Sequence, residues 1–230
     1  FKATPNCDAH IFNQGERGFA ELLKALLKSG GDLDTLRSTT VPGCLVNDLR
    51  KNKAVHIGEA LDIIRDLDEI PSPYLSGMLD EFFAEPFVPI IETNRSCPYR
   101  CTFCAWGIGT GKLARFGDER VFSEIEYISK RCTQSMNMFI GDANFSVLER
   151  DADIAKKLKA CNEEYGYPGH VSVQWNKTRP DRVYRVAKEL GGMCEVGASM
   201  QTLNPDVLAA IKRRNLPLSD VIKLTDQLKS

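Results

Sequence analysis

The sequence lacks an excess of charge of either sign: 30 lysines and arginines stand against 31 aspartates and glutamates, a formal net charge of -1. Such a balance supplies no long-range pull toward nucleic acid or an anionic membrane, and neither is expected as a partner. The one basic run, IKRRN at 211–215, has the length of a helix end. No apolar stretch reaches the roughly 18 residues that cross a bilayer, and no signal peptide opens the chain. Low-complexity tracts and internal repeats are absent too. With 230 residues there is room for one large domain or two small ones around a sizeable core. The chain starts at Phe1 in mid-pattern, which is expected of a fragment of something longer.

What is present is a concentration of cysteine. Three of the eight cysteines fall within CPYRCTFC, residues 97–104, with no fourth close by. A structural zinc site normally takes four protein ligands, and a disulfide cannot use three. Either a fourth ligand comes from elsewhere, or the site holds a metal with one position open. Cys7, Cys44, Cys132, Cys161 and Cys194 are scattered singly and read as ordinary thiols. A chain of this size without a secretory signal reads as cytoplasmic and reduced, where clustered cysteines favour metal over disulfide.

Apolar spacing organises the rest. Residues 11–31 read as a short strand, a glycine turn and a helix carrying Phe19, Leu22, Leu23, Leu26 and Leu27 on one face, stopped by Gly30-Gly31. Residues 41–57 read as two short strands around RKNK, and the proline-bearing stretch 66–77 as linker. From Pro86 strands alternate with helices. Apolar runs at 87–91, 136–140, 170–175 and 193–199 are separated by helical patterns on Val121, Ile125 and Ile128, then Ile154, Leu158 and Cys161, then Val183, Val186, Ala187 and Leu190. This βα order predicts an α/β fold with a parallel sheet. Asn204 and Pro205 open a further helix, and another is expected over 219–229. In such sheets ligands sit at the carboxyl ends of the strands. The cysteines, GDANF, NKTRP and MQT all follow strands on that rim. The segment GIGTGKL imitates a phosphate loop, yet Trp106 and Leu113 stand where glycine and a hydroxyl are required.

CPYRCTFC fits the C-x3-C-x2-C signature and resembles the radical SAM superfamily. The resemblance implies that Cys97, Cys101 and Cys104 hold a [4Fe-4S] cluster whose fourth iron is left for S-adenosylmethionine, which answers the missing ligand. It implies that Phe103 packs near the adenine and that GDAN, through Gly141 and Asp142, borders the amino group. ASMQT resembles the ribose-binding segment, with Ser199 and Gln201 as polar contacts, and Arg213 matches an arginine that pairs with the methionine carboxylate. A plain glycine turn at 141 and a helix-end cation at 213 remain the bland alternatives. Trp175 suits core packing, and Lys177 is a candidate to face substrate.

Upstream, NQGERGFAELLKAL and EIPSPYLSG resemble the last strand–loop–helix of a cobalamin-binding domain and its linker, with Gly15 and Glu16 bordering the cofactor. The implied organisation is a C-terminal remnant of a Rossmann-like cobalamin domain over 1–50, a linker over 51–85, and a partial (β/α) TIM-like barrel over 86–230. The implied function is reductive cleavage of S-adenosylmethionine to a 5′-deoxyadenosyl radical, for cobalamin-dependent methylation of an unactivated carbon. The cofactors are then a [4Fe-4S] cluster, S-adenosylmethionine and cobalamin; the partners are a small-molecule or natural-product substrate and an electron donor such as flavodoxin or ferredoxin. Non-methylating radical chemistry, or a non-catalytic iron–sulfur or zinc module, are the alternatives.

Overall fold

Short apolar segments punctuated by turn residues build two compact units that divide between Arg65 and Asp66. A computed structural model describes residues 6–48, 54–107 and 112–229. The first unit runs β1 (Ala9–Ile11), α1 (Gly15–Lys28), α2 (Leu33–Arg37), β2 (Cys44–Asp48) and β3 (Ala54–Ile57). The sheet order is β1-β2-β3, antiparallel at both pairings, so the parallel ladder of a Rossmann sheet is not carried by the described strands. The hairpin turn RKNK lies outside the described residues. Because β3 pairs with β2, residues 54–57 join this unit although they were expected in the linker.

Leu22, Ala25 and Leu26 of α1 pack with Ile11 against a core of Leu36, Val41, Cys44 and Val46. Phe19, Leu23 and Leu27, expected on the same face, are exposed instead, Leu27 at 78%. Gly18 explains how α1 approaches the sheet: a Cβ there would lie 2.5 Å from Ile11 Cγ2 and 3.3 Å from the Gly43 carbonyl oxygen. No such contact exists at Gly15, where a Cβ would meet open space.

The second unit is built on three parallel strands in the order β4-β7-β8, where β4 is Ile90–Ile91, β7 Asn137–Phe145 and β8 His170–Trp175. Each precedes a helix: α3 (Asp118–Ser129), α4 (Asp151–Tyr165) and α5 (Pro180–Leu190). These are successive βα units of a partial (β/α) barrel. The apolar stripes predicted for the helices are buried throughout: Val121, Ile125 and Ile128; Ile154, Leu158 and Cys161; Val183, Val186, Ala187 and Leu190. Two-residue strands β5 (Asn94–Arg95) and β6 (Ala114–Arg115) form a separate antiparallel ladder.

Three expectations change. Residues 66–85 belong to this unit rather than to a free linker, because the Tyr74 hydroxyl donates to the Ile90 carbonyl (2.8 Å) and Ser72 Oγ donates to Glu124 Oε1 (2.5 Å). GDAN is the end of β7 and not a loop after it; the ladder with β8 becomes irregular between Ile140 and Phe145. Residues 194–200 form no strand. Gly197 weakens strand pairing there, and the Trp175 indole takes the Glu195 carbonyl as its acceptor at 2.7 Å. Helices α6 (Pro205–Ala210) and α7 (Leu218–Lys229) follow, and Asn204 caps α6 by accepting from the amides of Asp206 (2.9 Å) and Val207 (3.2 Å). No helix of the described residues is long and apolar enough to cross a membrane.

Candidate functional site

β4 ends at Ile91, and the chain then opens into a loop closed at its base by the β5–β6 ladder, which pairs Asn94 with Arg115 and Arg95 with Ala114. The three motif cysteines lie on this loop, at the carboxyl end of the first parallel strand. Two buried charges fix its base from complementary sides. The Asp142 carboxylate accepts from the Thr93 amide (2.7 Å), the Asn94 amide (3.1 Å), Asn94 Nδ2 (2.6 Å) and the Thr93 hydroxyl. The Arg150 guanidinium donates to the carbonyls of Thr93 and Phe116, both at 2.7 Å, and also to Asp118. The carboxylate takes the donors of residues 93–94 and the guanidinium the acceptors on both arms of the loop.

Both oxygens of the Asp142 side chain are thus engaged at the loop base, which leaves the backbone of GDAN as the part that the resemblance sets beside S-adenosylmethionine. Burial pushes the Asp142 carboxyl up to about 6, opposed by the hydrogen bonds from Thr93 and Asn94. Gly141 lies inside β7, and a Cβ there would make only ordinary contacts at 3.6 Å.

The loop itself is tied to the next two strands. Asn144, on β7, donates from Nδ2 to Cys97 Sγ at 2.9 Å. The Tyr99 hydroxyl donates to Asn176 Oδ1 (3.3 Å), just past β8, and also bonds the Thr178 hydroxyl. The Thr102 amide donates to the Ile211 carbonyl at 3.0 Å, and the Cys104 amide to the Cys101 carbonyl at 3.1 Å. Residue-type reasoning missed Asn144, Tyr99, Asn176 and Arg150. Asn144 and Asn176 stand at the ends of β7 and β8, which was the available signal; Tyr99 lies within the cysteine loop and Arg150 at the start of α4, where no such signal exists.

Of the other expected residues, the structure joins Ser199 and Arg213: the buried guanidinium donates to the Ser199 carbonyl, and its Nε donates to Asn215 Oδ1 at 2.8 Å. Arg213 also stands just past the end of α6, its amide donating to the Leu208 carbonyl at 3.0 Å, the helix-end position of the alternative reading. Phe103 and Gln201 are exposed, as is Ser199. Trp175 is a core residue, 7% exposed and tilted against Phe145. Gly15 and Glu16 belong to the first unit, at the start of α1.

All eight cysteines are free thiols. Burial raises the thiols of Cys44, Cys161 and Cys194, the last to about 11, which suits packing and opposes thiolate ligation. Among the described residues no three His, Cys, Asp or Glu side chains gather as ligands of a single ion. A cubane takes one thiolate per iron, so its three ligands need not converge on one point. Two observations fit such a group at the loop. Three soft sulfur donors stand on one loop with an N–H donor on Cys97, and Asn144 Oδ1 is buried with no hydrogen-bond partner among the described residues.

Comparison with known proteins points the same way. The chain is 36% identical to the cobalamin-dependent radical SAM methyltransferase TokK of Streptomyces tokunonensis, over 97% of its own length and 33% of that protein. It is 34% identical to the 2-(S-pantetheinyl)-carbapenam-3-carboxylate methyltransferase of Streptantibioticus cattleyicolor, again over 97% and 33%. The chain thus spans about a third of the length of these curated relatives. In fold it resembles the radical S-adenosylmethionine methyltransferase TsrM of Kitasatospora setae with cobalamin and a [4Fe-4S] cluster bound. That likeness has a TM-score of 0.62 at 13% identity and covers 100% of this chain and 45% of the other. The superfamily's sequence profile matches residues 91–230, from the end of β4 through the cysteine loop to the last helix, and by that match the chain belongs to the radical SAM superfamily.

Proposed function

We propose that this chain forms the S-adenosylmethionine-cleaving core of a cobalamin-dependent radical methyltransferase acting on a small molecule. The observation that carries the reading is the cysteine loop itself, held at the carboxyl ends of the parallel strands by Asp142, Arg150 and Tyr99. When bound, a [4Fe-4S] cluster with S-adenosylmethionine supplies one-electron reductive cleavage to a 5′-deoxyadenosyl radical, and methylcobalamin supplies a methyl group.

The chain's own residues position these parts. Cys97, Cys101 and Cys104 would hold the cluster, their spacing set by a loop fixed at its base. Arg213 orients the segment carrying Ser199 and Gln201 through its bond to the Ser199 carbonyl, the place where the resemblance puts ribose and carboxylate contacts. Gly15 and Glu16 at the head of α1 are the proposed border of the cobalamin site. Methylation rests on the relatives named for it, and the electron would come from a flavodoxin or ferredoxin.

Anaerobic reconstitution tests the reading. About four irons and four labile sulfides per chain, with reductant-dependent release of 5′-deoxyadenosine, support it. One bound zinc without labile sulfide overturns it in favour of a metal-binding module. A normal cluster with no cobalamin absorbance in the full-length protein leaves a radical enzyme of non-methylating chemistry.

A further inference from the structure

We propose that Asn144 tunes the metal centre, its side-chain N–H on the Cys97 sulfur making the centre easier to reduce. This rests on the cluster reading above. Asn144 is 1% exposed, and its Nδ2 stands 2.9 Å from Cys97 Sγ. At that burial water does not replace a lost donor. Docking of the loop does not depend on this bond, because Tyr99 on Asn176, Thr102 on Ile211 and Asp142 on residues 93–94 hold it separately.

The physics fixes the sign. A thiolate on iron carries negative charge, and an N–H dipole aimed at it stabilises that charge. One electron from a low-potential donor of the ferredoxin or flavodoxin class takes [4Fe-4S]2+ to [4Fe-4S]+, with no bond formed or broken and no proton moved. The added electron raises the charge on the sulfur, so the same N–H stabilises the reduced state more than the oxidised one. Hydrogen bonds to cluster sulfurs are among the groups that set such potentials, and burial strengthens them. Asn144 is a positioning residue in this scheme: it acts through Cys97.

The test is a potentiometric titration of reconstituted protein, followed by electron paramagnetic resonance, for the parent, Asn144→Ala and Asn144→Asp. Iron and sulfide are counted first. At equal iron content, Asn144→Ala should show about tenfold less reduced cluster at a fixed poise, a fall of about 59 mV for a one-electron couple. Asn144→Asp, of the same size but presenting a carboxylate oxygen to the sulfur, should fall at least as far. Unmoved potentials in cluster-loaded variants overturn the proposal. Loss of iron from both variants also overturns it and makes Asn144 a structural support. A parent without a four-iron cluster sinks the underlying reading instead, and the iron count shows this before any potential is measured.

Discussion

Thr93 has its amide and hydroxyl on Asp142 and its carbonyl on Arg150, so one residue at the loop base is bound to opposite buried charges. Nearby, burial pushes the Asp151 carboxyl up to about 7, with Asp142 adding to the rise and the amide of Leu148 and Arg150 opposing it. An unfolded chain releases that proton near the ordinary value of about 4. The folded chain keeps it until about 7, so over this window the native state binds more protons and loses stability as pH rises. The slope is at most about 1.4 kcal/mol per pH unit for one proton. Asp151→Asn should therefore gain on the parent steadily between about pH 4 and 7, read from paired urea unfolding curves. A constant difference across that range would show that Asp151 titrates normally.

Arg213 yields a second expectation at this scale. Arg213→Ala frees the Ser199 carbonyl and should weaken S-adenosylmethionine binding about ten- to a hundredfold, the worth of a charged hydrogen bond, while iron content stays unchanged. Unchanged affinity in a calorimetric titration would remove Arg213 from the site. The grouping of Cys97, Cys101 and Cys104 on one loop was legible from spacing alone. The hydrogen bonds that Asp142 makes at the loop base were not legible, because its partners lie 48 and 49 residues away and nothing local marks them.

At the scale of elements, periodicity located α3, α4 and α5 because each buries one apolar stripe. It failed at 193–199, where an apolar run was not enough to make a strand without a ladder partner. For α1 the stripe was legible, but its division between core and solvent was not, since that depends on how closely the helix lies on β1. Gly18 sets that approach. Gly18→Ala places a methyl group 2.5 Å from Ile11 Cγ2 and 3.3 Å from a backbone carbonyl, and should cost about 1–3 kcal/mol. Gly15→Ala meets open space and should be neutral or gain up to about 1 kcal/mol from helix propensity. Denaturant midpoints of the two variants check the contrast; equal effects would mean that α1 does not pack as described.

Across the whole molecule, the thiols stand in different settings. Cys97, Cys101 and Cys104 share a loop at the strand ends, whereas Cys132 and Cys161 are buried on the helical side, Cys161 within α4. Cys101→Ala should abolish cluster formation, and Cys132→Ala or Cys161→Ala should retain about four irons per chain at some cost in stability. Iron loss from Cys132→Ala or Cys161→Ala would mean the ligand set is misassigned. The division into two compact units falls at Arg65 because β3 pairs backward and Tyr74 pairs forward, contacts that only the folded chain reveals.

The ties at the base of the cysteine loop run between protein groups: a carboxylate, a guanidinium and a two-rung ladder. The conformational entropy of closing that loop is therefore spent during folding of the polypeptide and not when iron arrives. Iron and sulfide would then enter a loop whose base the protein has already closed.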